Sequence, residues 1–373
     1  MWSAANITTD KGCSFVVEDA SDISMLVGTG YYRVRCMGSG LTSKYWKLDE
    51  QGGEMKLWSD GDPTDMSSVF RVEEQVNASN GVPTSYYIAG FYNGEPWYLD
   101  NTRTLYSQQF TATQTAEDYM PAEIIYNGKS EDTAFFALKL SNQESYTGYS
   151  YANTNASVTT VVTWVYTSGT ADGSAWTFEP VELPSRAVEN TYYTTAYLPF
   201  DYTLPEGVTA YTITISGTGA AVPHELTGGV PAGTGVLLVG DGISDMPIEY
   251  KGYSLTSDDE SNVSGNALRG TYADMATPAN TYVFSGKNGK PGFYKYSGAT
   301  LSAYKAYLPS TNSNARGFEL NFDDDGNLTG ITVIEEEGGD TSNGAIFDLQ
   351  GRRVAQPQKG GIHIINGKKV YVR

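Results

Sequence analysis

The sequence predicts an all-β protein with more than one domain, and three observations support this. Of 373 residues, 28 are Tyr and 41 are Gly, while only 18% are charged. This balance favours twisted sheets and turns over helices. The first half of the chain also repeats with a period of about 50 residues, which indicates stacked structural units. After Pro184 this repeat gives way to longer alternating strands separated by Pro-Gly turns.

The repeat is visible in strand starts and strand ends that recur with one rhythm. Aromatic strand starts lie at 31–34, 86–89 and 135–138, which are 55 and 49 residues apart. Strand ends lie at 70–73, 122–125 and 176–179, which are 52 and 54 residues apart. One such unit cannot bury its apolar face alone, so we expect three units to close around a pseudo-threefold axis.

Shorter motifs also recur inside the repeats. A Leu-Asp step ends both 45–49 and 96–100, and Lys-Leu-Trp at 56–58 resembles Val-Thr-Trp at 162–164, with Thr-Leu-Tyr at 104–106 between them. Together with the repeat count, these motifs resemble the β-trefoil of ricin-type lectins over residues 28–182. The Gln-x-Trp signature of that family is absent from repeat one, and repeat three keeps only its Trp. The resemblance therefore supports the fold more strongly than sugar binding.

Candidate ligand-binding residues follow from the chemistry of a sugar site. An aromatic face stacks on the apolar face of a pyranose, and a nearby Asp or Asn accepts hydrogen bonds from its hydroxyls. The candidates are Asp49 and Trp58 in repeat one, Asp100 and Tyr106 in repeat two, and Trp164 in repeat three, with Asn153 or Asn155 as weaker partners. The same residue types also fill trefoil cores and cap turns, so a purely structural role stays open for each of them. Repeat one is the preferred site, because it supplies the Trp, the Asp and the polar loop 59–62.

The remainder of the chain predicts two further modules. Residues 183–336 predict a β-sandwich, because strands recur there without helical periodicity. Residues 337–373 predict an acidic, Gly-rich linker and a tail in which Asn366-Gly367 marks a tight hairpin. The Asp348-Leu349-x-Gly351-Arg352 step and the basic last strand of the tail resemble the C-terminal sorting domain of type IX secretion substrates. That resemblance implies interaction with secretion machinery and export to the surface of a Gram-negative outer membrane. We expect residues 1–27 to be the end strand of an upstream unit.

Charge and residue inventory exclude several classes of function. The chain has 24 basic and 43 acidic residues, a formal net charge of -19, which opposes binding to nucleic acid. No stretch approaches the roughly 20 apolar residues of a membrane span. The two histidines, His224 and His363, fall in different predicted modules, and no metal or phosphate-binding motif is present. We therefore expect no enzyme activity and no cofactor. Cys13 and Cys36 are either two separate thiols or one disulfide.

These observations lead to one hypothesis and two alternatives. The hypothesis is a non-catalytic, glycan-binding or adhesive region of a larger secreted or cell-surface protein. One alternative is the accessory C-terminal part of a secreted hydrolase whose catalytic domain lies upstream, either a glycoside hydrolase or a peptidase. The other alternative is a structural stalk. Binding to a glycan separates the hypothesis from the stalk.

Overall fold

The computed structural model describes residues 27–76, 79, 83–100, 107–140, 150–215, 221–250, 254–287, 289–310, 315–323, 328–335, 346–347, 353–354, 362–365 and 368–371. These residues divide into two compact units, Met1–Val181 and Glu182–Arg373. Strands dominate both units, and the described residues contain a single α-helix. The all-β class predicted from the sequence is confirmed. The predicted end strand upstream of residue 27 and most of the predicted linker lie outside the described residues.

The first unit contains twelve strands and two short 3-10 helices. The strands are β1 Gly30–Cys36, β2 Lys47–Gln51, β3 Glu54–Trp58, β4 Val69–Val76, β5 Pro83–Tyr92, β6 Glu95–Leu99, β7 Thr111–Thr113, β8 Glu123–Ser130, β9 Thr133–Lys139, β10 Tyr151–Asn153, β11 Val162–Trp164 and β12 Trp176–Pro180. The 3-10 helices are Met66–Ser68 and Ala116–Asp118. The six strand segments predicted from the repeat fall in β1, β4, β5, β8, β9 and β12.

Those six strands pair in a closed ring, and the other six form three hairpins. Around the ring, β1 pairs with β4, β4 with β5, β8 with β9, β9 with β12 and β12 with β1. A single bridge between Tyr86 of β5 and Ala122, the residue before β8, completes the ring. The hairpins are β2–β3, β6–β7 and β10–β11.

The residues at two tight turns explain why the chain reverses direction at these positions. In the β2–β3 hairpin, Gln51 pairs with Glu54, and the two residues between them are Gly52 and Gly53. Their φ angles are 68° and 82°, as required by a two-residue turn that matches the twist of its strands. Asn93 and Gly94, with φ angles of 50° and 88°, make the same kind of connection between β5 and β6.

Three backbone hydrogen bonds relate the hairpins to one another. The amide of Leu57 donates to the carbonyl of Phe110 (2.9 Å), Phe110 donates to Val161 (3.0 Å), and Val161 donates back to Leu57 (3.3 Å). All three side chains are fully buried. A cyclic set of equivalent bonds requires the three residues to occupy equivalent positions. The three hairpins are therefore related by a pseudo-threefold arrangement about these residues.

The core of the first unit is aromatic. Trp46 and Trp176 pack edge to face with ring centroids 5.2 Å apart, and Phe70 packs on Trp46 at 5.6 Å. The indole Nε1 of Trp176 donates to the Ala152 carbonyl at 2.9 Å. Cys36 lies in the same core as a free, buried thiol. Cys13 lies outside the described residues.

The second unit contains nineteen strands and one helix among its described residues. They are β13 Glu182–Pro184, β14 Arg186–Val188, β15 Thr191–Ala196, β16 Val208–Ile215, β17 Ala221–Leu226, β18 Val236–Asp241, β19 Asp245–Pro247, α1 Ser257–Ser264, β20 Arg269–Gly270, β21 Met275–Ala276, β22 Thr281–Lys287, β23 Lys290–Lys295, β24 Thr300–Leu301, β25 Ala306–Pro309, β26 Ala315–Phe322, β27 Leu328–Glu335, β28 Ile346–Phe347, β29 Arg353–Val354, β30 Ile362–Ile365 and β31 Lys368–Tyr371.

Two sheets of the second unit share one hydrophobic core. One sheet has the order β14-β15-β18-β16-β17 and the other β20-β25-β22-β23-β26-β27. Tyr193 and Leu237 of the first sheet belong to the same buried cluster as Tyr282 and Phe318 of the second. Tyr193 also stacks on Phe284 across the two sheets, with ring centroids 5.3 Å apart. This arrangement is a β-sandwich.

The tail forms a small four-stranded sheet of its own. Its order is β29-β28-β30-β31, and its described strands pair only with one another. The strands β30 and β31 pair antiparallel, with Ile365 opposite Lys368. The predicted turn residues Asn366 and Gly367 lie outside the described residues.

Candidate binding site

The β2–β3 hairpin presents a mixed aromatic and charged face to solvent. Lys47 lies opposite Trp58, and Asp49 lies opposite Lys56. Because side chains alternate along a strand, these four residues share one face. The other face carries Leu48 and Leu57, which are buried. The two residues predicted for repeat one, Asp49 and Trp58, are therefore on the same side of the same hairpin.

Charged groups border Trp58 on this face. The Lys47 ammonium lies 3.4 Å from Oδ1 of Asp60 and 3.8 Å from Oδ2 of Asp49. Oδ1 of Asp49 accepts a hydrogen bond from the Glu50 amide at 2.9 Å, which fixes the orientation of the carboxylate. The Asp49 and Asp60 side chains are 51% and 43% exposed, so both retain acceptor capacity for a ligand.

The rest of the polar loop at 59–62 is already engaged. Ser59 is buried and its hydroxyl lies 2.7 Å from the Thr154 hydroxyl. Asp62 accepts from both the amide and the hydroxyl of Thr64, and these hydrogen bonds lower the pKa of its carboxyl. Of the loop residues, Asp60 is the one positioned to serve a ligand.

The indole of Trp58 is partly exposed and makes no hydrogen bond with the described residues. Trp58 is half-buried, and its Nε1 is shielded from solvent without an acceptor among the described residues. An unmade hydrogen bond of this kind costs about 1–3 kcal/mol. By contrast, the core indole of Trp176 is fixed by its bond to Ala152. The Trp58 ring is thus a partly exposed platform whose orientation no hydrogen bond determines.

The hairpin register changes the equivalences predicted between repeats. Since Leu57, Phe110 and Val161 are equivalent, Trp58 corresponds to Thr111 and Val162. Asp100 pairs with Thr111 as Lys47 pairs with Trp58. Asp100 therefore occupies the position of Lys47, and the sequence alignment of Asp49 with Asp100 was wrong by two residues.

Asp100 is buried within the fold and is not exposed to a ligand in solution. It is only 7% exposed, and its Oδ2 accepts a hydrogen bond from the Thr111 hydroxyl at 2.6 Å. Tyr106, its predicted aromatic partner, lies outside the described residues. The structure therefore brings together the predicted pair of repeat one and buries the Asp of repeat two.

In repeat three, Trp164 lies opposite Tyr151 at the end of its hairpin. In the register given above, the residue equivalent to Trp58 is Val162, and Trp164 lies two residues beyond it. The predicted alignment of Trp58 with Trp164 was therefore also wrong. Asn153 is buried and donates to the Ser174 hydroxyl at 2.9 Å. Asn155 accepts from the Ser157 amide at 2.8 Å, which closes a local turn. Neither Asn is arranged as the acceptor of an aromatic platform.

A tyrosine cluster on repeat two was not predicted. Tyr98 and Tyr119 stack with centroids 4.0 Å apart, and Tyr87 meets both edge to face. Arg71 lies over the Tyr98 ring at 5.7 Å and pairs with Glu73 at 2.5 Å. The Tyr98 hydroxyl also donates to Glu73 at 3.1 Å, so Glu73 accepts from Tyr98 and pairs with Arg71 in the same cluster.

The two histidines lie in different sheets of the second unit. His224 lies on β17 with its Nε2 2.8 Å from the Thr214 hydroxyl, and His363 lies on β30 in a different sheet. Within the described ranges, no group of three His, Cys, Asp or Glu residues is placed to hold a metal ion. No helix in the same ranges has the length and apolarity needed to cross a membrane.

No protein-family model matches the chain, and no curated protein matches it by sequence. Among solved structures, the chain is similar to a mosquitocidal holotoxin at 9% identity, with a TM-score of 0.31. The similarity covers 91% of this chain and 47% of that chain, so this chain spans about half the length of the holotoxin chain.

Proposed function

We propose that the chain is a non-catalytic binding region of a larger secreted or cell-surface protein, and that its first unit is a β-trefoil that binds a glycan. The closed ring of six strands, the three hairpins and the cyclic hydrogen bonds of Leu57, Phe110 and Val161 support the trefoil assignment. The observation that carries the binding proposal is the shared face of Trp58 and Asp49 on the β2–β3 hairpin.

The chemistry of this face suits a pyranose. The sugar presents C–H groups on one side, which pack on the exposed part of the Trp58 indole. Its hydroxyls lie at the rim, where Asp49 and Asp60 accept hydrogen bonds and the Lys47 ammonium donates one. A single shallow site of this kind gives a dissociation constant of about 1 mM, or about 4 kcal/mol. Useful avidity then comes from several copies displayed on one surface.

The test is Trp58→Ala in the whole chain. We expect binding to mono- and disaccharides to fall below detection, because the stacking platform is lost. The free energy of unfolding should fall by only about 1–2 kcal/mol, since the side chain is half-buried. Titration of the wild type and the variant by nuclear magnetic resonance, alongside thermal melts, measures both quantities.

Trp164→Ala is the matched control, because it removes another half-buried Trp from a neighbouring hairpin that lacks the Asp. We expect Trp164→Ala to retain binding and Asp49→Ala to weaken it about tenfold, which corresponds to the loss of one hydrogen bond to a charged acceptor. Wild-type protein that binds no sugar supports the stalk instead. A loss of about 3 kcal/mol or more in Trp58→Ala identifies Trp58 as a core residue and contradicts the site.

We also propose that the tail addresses the protein to secretion machinery and to the surface of a Gram-negative outer membrane. This proposal rests on the tail motifs and is compatible with the separate four-stranded sheet that the described tail strands form.

A further inference from the structure

The sandwich of the second unit contains an open cavity of 340 Å³ that the glycan proposal does not use. Its walls include Arg186 on β14, Thr194 on β15, Phe284 on β22 and the segment from Tyr296 to Tyr307. The volume lies near the lower end of the range for small-molecule sites, about 300–1,000 Å³. A monosaccharide or disaccharide matches this size.

The charge of the cavity wall is opposite to that of the chain. Two cations, Arg186 and Lys305, line the cavity, and its lining contains no Asp or Glu. The chain as a whole carries 43 acidic and 24 basic residues. A concave site with one sign of charge concentrates ligands of the opposite sign. The cavity therefore favours an anion.

Both cations have hydrogen-bond donors that can still bind a ligand. The Lys305 ammonium donates to the Thr194 hydroxyl at 3.0 Å, and it has no acidic partner among the described residues. An ammonium has three donors, so two remain for a ligand. Lys305 is accessible from the cavity, but the surrounding walls partly desolvate it, which lowers the pKa of its ammonium. Arg186 is exposed and likewise forms no ion pair with the described residues.

The other lining residues indicate what else the ligand carries. Hydroxyls are frequent in the wall, on Thr195, Thr300 and Ser302, and the rings of Phe284 and Tyr307 supply apolar surface. Hydroxyls beside rings match a polyhydroxylated ring compound better than a hydrocarbon acid. We propose that this cavity binds a carboxylated sugar, with its carboxylate on Lys305 and Arg186 and its ring beside Phe284 and Tyr307.

The experiment compares glucuronic acid with glucose, two sugars that differ at the carboxylate. Calorimetric titration of the full chain should give at least about tenfold tighter binding of glucuronic acid, because a charge-assisted hydrogen bond is added. Lys305→Gln should reduce that affinity about tenfold, and Lys305→Arg should largely retain it. Lys290→Gln is the control, since Lys290 is an exposed lysine on β23 that pairs with Glu319 at 3.0 Å and does not line the cavity.

Three results would overturn the proposal. They are equal binding of both sugars, unchanged affinity in Lys305→Gln, and an equal loss in Lys290→Gln that reflects net charge alone. Thermal melts of each variant show whether it is folded, and retained binding in folded Lys305→Arg distinguishes charge from structural damage. Trp58→Ala should bind glucuronic acid as the wild type does, so this site and the hairpin site are tested separately.

Discussion

At the scale of single residues, strand register decides what each tryptophan does. Trp58 and Leu57 are adjacent, yet the pleat sends Leu57 into the core and leaves Trp58 half exposed. Trp46 and Trp176 have no exposed surface at all and pack on each other. The three share one residue type and differ in position on the pleat. Their difference in role therefore follows from register.

Cys36 gives a prediction at this scale. Desolvation by the core raises the pKa of its thiol to about 11, so at pH 8 only about a thousandth of it is thiolate, the reactive form. We expect iodoacetamide at pH 8 to leave Cys36 unmodified in the native protein and to modify it readily in urea. Mass spectrometry of the peptide that contains Cys36 measures both rates. Equal rates in native and unfolded protein would contradict a buried thiol.

The sequence predicted the candidate site only in part, and the reason lies in single positions. Asp49 and Trp58 were found because they lie within one hairpin, where the distance along the chain is short. Asp100 was predicted because it follows a Leu, as Asp49 does. The strand register instead places Asp100 at the position equivalent to Lys47, two residues from the position equivalent to Asp49. The tyrosine cluster was missed because Tyr87, Tyr98 and Tyr119 come from three separate segments that only tertiary pairing brings together.

At the scale of elements, the ring strands were predictable and one helix was not. The recurring strand starts and ends mark β1, β4, β5, β8, β9 and β12, and four of these strands supply buried rings to the core: Phe70, Tyr86, Phe136 and Trp176. The helix α1 carries little apolar surface, so periodicity gave no signal. Its signal is at its start, where Thr256 and Asp259 form a reciprocal capping box.

Asp259 connects this helix to the strand layer. Its carboxylate accepts hydrogen bonds from the Thr256 hydroxyl at 2.9 Å and from the Thr227 amide and hydroxyl at 3.2 and 3.1 Å. Burial alone raises the pKa of the carboxyl, but the hydrogen bonds from Thr256 and Thr227 outweigh burial and lower it. Proton binding to Asp259 is therefore weaker in the folded chain than in the unfolded one.

Asp259→Asn should destabilise the protein by about 1–2 kcal/mol at pH 7, because Asn retains one acceptor and loses the charge. A lowered folded pKa contributes stability that is present above the unfolded pKa and lost as pH falls through the folded one. The difference from wild type should therefore shrink as pH falls below about 4. Urea unfolding at several pH values measures it.

Asp258→Asn is the control for this prediction. Asp258 lies in the same first turn but is exposed, so its substitution should cost only about 0.5 kcal/mol through the helix dipole. Equal losses in the two variants, or a loss in Asp259→Asn that does not change with pH, would show that the buried hydrogen bonds do not stabilise the helix.

At the scale of the whole molecule, each unit is supported by its own core. The first unit buries Trp46, Phe70 and Trp176, and the second buries Tyr282, Phe293 and Phe318. The two proposed sugar sites lie in different units. The hairpin site is in the first unit, and the site proposed for an acidic sugar is in the sandwich of the second. The two proposals therefore concern separate sites, which can be tested one at a time.

Deletion of residues 338–373 tests the proposed role of the tail. The described tail strands pair only with one another, so the deletion removes no strand from either sheet of the sandwich. We expect the melting temperature of the remaining chain to change by less than about 2 °C, since well under 1 kcal/mol is lost. In the native host, the truncated protein should remain inside the cell envelope while the complete protein reaches the surface.

Trp58→Ala serves as the control, because it alters binding but leaves the tail intact and should be displayed normally. Normal surface display of the truncated protein would contradict a sorting role, and a large drop in its melting temperature would show that the tail stabilises the sandwich.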